Sequence, residues 1–131
     1  MTFGERLRQL RRERQMNQRT LAAKAEINFT YLSKIENERM APPSADTIVK
    51  LAQALDADAD ALLVLAGKVP EDIAMIVTQS PAVPAFLRSI RDLREDELRQ
   101  LSLYAQELRE KRGPRNRTRR ARRVSDPAND W

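Results

Sequence analysis

Between Gln18 and Asn37 the chain reads "QRTLAAKAEINFTYLSKIEN", two helical patterns with almost nothing between them. Asn17 caps the first, whose Leu21, Ala22 and Ala25 share an inner face. Asn28 caps the second, whose Leu32 and Ile35 share an inner face with Tyr31 beside them. Only Glu26 and Ile27 separate the first pattern from the second cap. That connection is too short for two antiparallel helices and right for a crossed pair. Ala22 is small where the second helix must cross the first closely, and a larger side chain would spread the pair.

The opposite face of the second helix gathers Thr30, Ser33, Lys34 and Asn37. It is polar yet almost uncharged, whereas a solvated helix ordinarily mixes Lys and Glu there.

Around the crossing, residues 1–66 accommodate five short helices. Phe3, Leu7 and Leu10 mark the inner stripe of the first, with Arg6, Arg8, Arg12 and Arg14 left for solvent or a polyanion. After "APPS" breaks the chain, Ser44 caps a fourth whose Ile48, Leu51, Ala52 and Leu55 follow i, i+3, i+4, i+7. A fifth starts at Asp58 or Asp60 and stops at Gly67. The chain holds three glycines and few aromatics, against a sandwich or barrel, and is rich in Ala, Leu, Arg, Glu and Gln, as helices favour.

From Lys68 the texture changes. Pro70, Glu71 and Asp72 suit a helix start, with Ile73, Ile76 and Val77 following. Ser80 and Pro81 open another short segment containing Phe86, Leu87 and Ile90. A longer helix from about Arg94 to Arg112 is acidic at its start and basic at its end, with an apolar stripe of Leu98, Leu101, Tyr104 and Leu108. Helices this small bury little alone, so these seven residues are expected to pack across a subunit interface; for the stripe, the alternative is plain core. Gly113 and Pro114 stop the pattern, and "RNRTRRARRVSDPANDW" has too few apolar residues to fold.

The chain contains no cysteine and no histidine. A disulfide framework, a thiolate zinc site and the usual general base are thereby excluded, and no glycine-rich phosphate cradle appears. Neither catalysis nor a metal or other cofactor is expected. No apolar run approaches the roughly 18 residues of a membrane span, and the N-terminal stretch lacks a signal peptide's hydrophobic middle, so the expected location is cytoplasmic. Most of the net charge of +5 sits in the tail: residues 1–66 hold ten Lys/Arg against nine Asp/Glu, residues 67–112 eight against eight, and residues 113–131 six against two.

Taken together, "NQRTLAAKAEINFTYLSKIENER" and "PPSADTIVKLAQALDAD" resemble the Xre family, the Cro and phage-repressor type of helix-turn-helix regulator. Gln18 opening the second helix, the Leu21-Ala22 pair, Ile27 in the turn and "YLSKIEN" closing the third carry the likeness over about the first half of the chain. The expected architecture is all-α: a five-helix Cro/repressor-like helix-turn-helix domain in residues 1–67, a small helical C-terminal oligomerisation or regulatory region in residues 68–112, and a disordered Arg-rich tail in residues 113–131. The resemblance implies sequence-specific binding of double-stranded DNA, by a homodimeric repressor of a pseudo-palindromic operator. The outer face of the third helix suits that task. Asn28, Thr30 and Ser33 present groups for base edges, Lys34 a donor for guanine, and Phe29 an apolar contact for a thymine methyl. Gln18, Asn37 and Arg39 are placed for phosphates. For Phe29 the alternative is covering the end of the second helix. The resemblance also pairs Arg11 with Glu36, tying the first helix to the third; a carboxylate on the inner side of its helix needs such a partner.

Two departures from the family pattern stand out: Glu26 in the turn and Glu38 after the third helix occupy positions where glycine is common. A non-glycine residue in a left-handed conformation costs about 1 kcal/mol. Two alternatives keep the DNA-binding half and change the rest: an antitoxin whose C-terminal half binds a toxin, and a repressor inactivated when a partner metallopeptidase cuts that half.

Overall fold

The computed structural model describes the backbone of residues 1–125 and the side chains of residues 1–113. The described backbone is all-helical: α1 (Phe3–Glu13), α2 (Gln18–Lys24), α3 (Phe29–Glu36), α4 (Ala45–Leu55), α5 (Ala59–Ala66), α6 (Glu71–Val77), α7 (Ala82–Ser89) and α8 (Glu95–Ser125). It divides into two compact units, Met1–Val83 and one beginning at Pro84.

Each of the first five helices starts on a side-chain cap. Thr2 and Glu5 form a reciprocal capping box on α1, and Asn17, Asn28, Ser44 and Asp58 accept backbone N–H bonds at the starts of α2 to α5. Each also ends in the same way, with paired bonds that return the chain over the last turn. At the end of α2, Ile27 N–H donates to Ala22 O at 2.9 Å and Glu26 N–H to Ala23 O at 3.2 Å. This motif requires one left-handed residue per helix end. Gln15 (φ 57°), Glu26 (φ 57°), Glu38 (φ 60°), Asp56 (φ 51°) and Gly67 (φ 66°) supply it. Only the last is a glycine, so the first four helix ends each carry a local strain of about 1 kcal/mol.

The core of the first unit accounts for that tolerance. Leu7, Leu21, Leu32, Ile48, Leu51 and Leu55 are entirely buried, joined by Phe3, Leu10, Ala22, Ala25, Ile35, Leu62 and Leu63. Burying one such Leu or Ile stabilises by about 1.5–3 kcal/mol, more than the strain at any one helix end. Arg14 adds a cross-tie: Nε donates to Leu55 O at 2.6 Å and Nη2 to Asp56 O at 2.9 Å, satisfying carbonyls exposed where α4 ends.

Neither α6 nor α7 contains a buried residue. In the second unit, Arg94 pairs with Asp96 and Glu97 at the start of α8, where the helix dipole also favours the carboxylates. Gly113 is non-helical (φ 68°, ψ 179°), at the point where the sequence pattern stops. The backbone beyond it is helical as far as Ser125. Residues 126–131, the end of the Arg-rich tail, lie outside the described residues.

Candidate nucleic-acid interface

The position of α3 is fixed by a buried carboxylate. The Glu36 side chain has no exposed surface. Arg11 grips it bidentately with one edge of the guanidinium, Nε to Oε2 at 2.7 Å and Nη2 to Oε1 at 2.9 Å. Gln18 Nε2 donates to Oε1 at 3.0 Å, and the Arg8 guanidinium stands 3.8 Å away. Arg11 Nη1 donates to Met16 O at 2.9 Å, so α1, the α1–α2 turn, α2 and α3 meet at one charge. A desolvated ion pair is tolerated only when its remaining hydrogen-bonding capacity is filled. Among the described residues, no buried side-chain nitrogen or oxygen lacks a partner.

Two further residues of α1 fasten the same end of α3. A Cβ on Gly4 would lie 2.5 Å from Ile35 O and 3.1 Å from Glu36 O, so the helices approach as closely as backbone allows. Arg8 Nη2 donates to Glu36 O at 3.1 Å and also to Asn37 Oδ1. Gly4, Arg8 and Arg11 are spaced i, i+4, i+7, one stripe along α1.

Thus held, α3 turns Leu32 and Ile35 into the core and leaves Thr30, Lys34, Asn37 and Arg39 exposed, with Ser33 half-buried. Asn37 Nδ2 lies 3.5 Å from Ser33 Oγ. Asn28 Oδ1 accepts from Thr30 N–H at 2.7 Å and Tyr31 N–H at 3.3 Å, so its oxygen serves the helix start. Phe29 is half-buried against the core, and the Arg19 guanidinium sits 4.4 Å from its ring centroid. Gln18 lies at the start of α2 with its amide directed to Glu36.

The helix-turn-helix domain family model matches residues 4–68, which span α1 to α5 and the crossing. The HTH-type transcriptional repressor RghR of Bacillus subtilis is 39% identical over 70 residues, 53% of this chain and 52% of the relative. The chain belongs to the Xre-like helix-turn-helix regulators.

Other Xre-like relatives include the immunity repressor protein of Bacillus phage phi105, 38% identical over 63 residues, 48% of this chain and 43% of that protein. The restriction-modification controller protein C.AhdI of Aeromonas hydrophila is a solved structure, 37% identical, matching 46% of this chain and 89% of its own, with a TM-score of 0.44. The matched region spans about half the length of the curated relatives. The family is a DNA-binding domain family and not an enzyme class.

In this Xre-like chain the two departures from glycine take the conformation glycine would favour: Glu26 and Glu38 are both left-handed. Sequence reasoning missed three participants. Gly4 and Arg8 share the stripe of Arg11, a spacing visible in the sequence, but Arg8 reads as solvated unless its partner at the end of α3 is known. Arg19 carries no local signal, since its contact with Phe29 exists only once α2 and α3 cross.

Proposed function

We propose that the chain is a sequence-specific repressor of transcription that binds duplex DNA through the outer face of α3 and acts as a homodimer. The observation that carries this reading is the contrast between the two faces of α3. The inner one is locked by an ion pair on a carboxylate without exposed surface, and the outer one is exposed, polar and nearly neutral. Dense Lys and Arg would grip any duplex, whereas hydroxyls and amides discriminate among base pairs. Thr30, Ser33 and the Asn28 amide meet base edges, Lys34 donates to guanine, and the edge of Phe29 meets a thymine methyl. Gln18, Asn37 and Arg39 set the register on the phosphates.

One such face reads a half-site, and a second copy supplies the other half. Phe86, Leu87, Tyr104 and Leu108 are exposed in the single chain, with Ile90, Leu98 and Leu101 half-buried, and pairing covers them. No helix among the described residues is long and apolar enough to cross a membrane, in keeping with action on cytoplasmic DNA.

Selection from a random duplex pool, followed by footprinting of the recovered sequence, tests the reading. It predicts a two-fold symmetric consensus whose half-sites lie about 34 Å apart, one helical turn, or a multiple of it. A pool that stays random after repeated rounds would refute it.

A further inference from the structure

We propose that Arg8 is a positioning residue that fixes the side-chain amide of Asn37 as a hydrogen-bond donor toward DNA; the inference rests on the reading of α3 above. The two ends of an asparagine amide have nearly the same shape, so its polarity is set by whatever it faces. Arg8 Nη2 faces it here, and a guanidinium has five N–H donors and no acceptor. The Asn37 atom turned to Arg8 is therefore the oxygen. Its nitrogen is left on the side of Ser33, with Oγ at 3.5 Å, on the face where Lys34 is exposed.

Arg8 is itself held in place. Its Nη2 also bonds the Glu36 carbonyl at 3.1 Å, and Gly4, one turn away on α1, lets the two backbones touch. A cation at that carbonyl also balances the negative end of the α3 dipole, which faces the phosphates in the proposed complex.

The consequence is a change in what Asn37 reads. A free amide presents either sign to a duplex. With its oxygen occupied, Asn37 presents N–H alone, which suits a phosphate oxygen or the major-groove acceptors of guanine, adenine and thymine, and rejects the cytosine amino group. Arg8 thereby influences recognition from α1, a helix with no residue on the reading face.

A double-mutant cycle tests this with the full chain, the duplex recovered by selection and a scrambled duplex of equal length. Arg8→Met keeps the stem and removes the donors; Asn37→Ala removes the amide. Each is expected to weaken binding to the selected duplex about tenfold, the loss of one charge-assisted hydrogen bond, and the double variant to fall no more than about twofold below Asn37→Ala. Arg8→Lys, which restores a donor cation, recovers part of the loss on the selected duplex. Should Arg8→Met prove unfolded at the assay temperature, Arg8→Ala, which also removes the donors and suits a helix, takes its place in the cycle. Additive losses overturn the inference, because Arg8 would then act through its own charge or through the fold. On the scrambled duplex the same non-additive pattern is expected where the amide meets a phosphate, and additive losses there overturn the inference as well. Failure of the reading itself is distinguishable, because the wild-type chain would then yield no selected duplex.

Discussion

Arg11→Met removes three donors that are all in use, two on Glu36 and one on the Met16 carbonyl. It leaves a carboxylate without exposed surface, holding one hydrogen bond from Gln18 and facing Arg8 at 3.8 Å. Breaking a buried ion pair from one side costs about 3–5 kcal/mol. The retained bond and the nearby second cation place the expected loss at the lower end, about 3 kcal/mol. Small domains are stable by about 5–15 kcal/mol, so this is a large share. In a domain of this size each kcal/mol lowers the melting midpoint by about 4–8 °C, giving a fall of about 12–24 °C. Arg11→Met combined with Glu36→Leu removes both charges, and well-packed apolar replacements of buried pairs are about neutral or better, so the double variant recovers most of the loss. Thermal and urea melts of the wild type, the single and the double variant decide the matter. A single-variant loss below about 1 kcal/mol, or a double variant no better than the single, would refute the claim that Glu36 is a buried charge held by Arg11.

Gly4→Ala forces a methyl to within 2.5 Å of the Ile35 carbonyl, so α1 and the end of α3 must separate. The expected loss is about 1–3 kcal/mol in a urea melt, with backbone NMR shifts concentrated at residues 35–39. Glu26→Gly relieves a left-handed residue (φ 57°) and is expected to raise stability by up to about 1 kcal/mol. It also removes a carboxylate beside the proposed DNA surface, so binding to selected and scrambled duplexes tightens together; tightening on one alone would contradict the electrostatic reading. Deleting residues 113–131 removes six arginines and two aspartates. Affinity should then fall equally for selected and random duplexes, with a flatter salt dependence, while a loss confined to the selected duplex would show that the tail reads sequence.

What could be read from the chain alone follows the range of each interaction. Caps and apolar stripes act within one helix, so Asn17, Asn28 and Ser44, and the inward Leu7, Leu32, Ile48 and Leu51, were legible from spacing, while the start of α5 was narrowed to Asp58 or Asp60 and falls on Asp58. The crossing of α2 and α3 was legible for the same reason, and the left-handed residue at Glu26 followed from the family pattern, in which glycine is common there. Gln15 and Asp56 take the same conformation without a glycine or asparagine to mark it, and only the core beneath them accounts for it. Contacts across the fold left weaker traces. Gly4 matters because of carbonyls 31 and 32 residues further along, and Arg8 because of Asn37, 29 residues away. The amide of Gln18 joins the network on Glu36, a partner that its place at the start of α2 does not announce, since Oε1 keeps a lone pair that Arg11 does not fill. Beyond α5 the pattern gave helices but no core, and the absence of buried residues in α6 and α7 agrees with helices too short to bury much alone.

The claim at the centre of this account is that the outer face of α3 chooses the DNA sequence. Thr30→Ala and Lys34→Ala test it most directly, since both side chains are exposed and neither is bonded to the core. Selection from one random duplex pool with the wild type and each variant gives three consensus sequences to compare. The account predicts that each variant retains binding and changes its preference at one or two positions per half-site, where discrimination falls by about 1–3 kcal/mol. An unchanged consensus with uniformly weaker binding would contradict it.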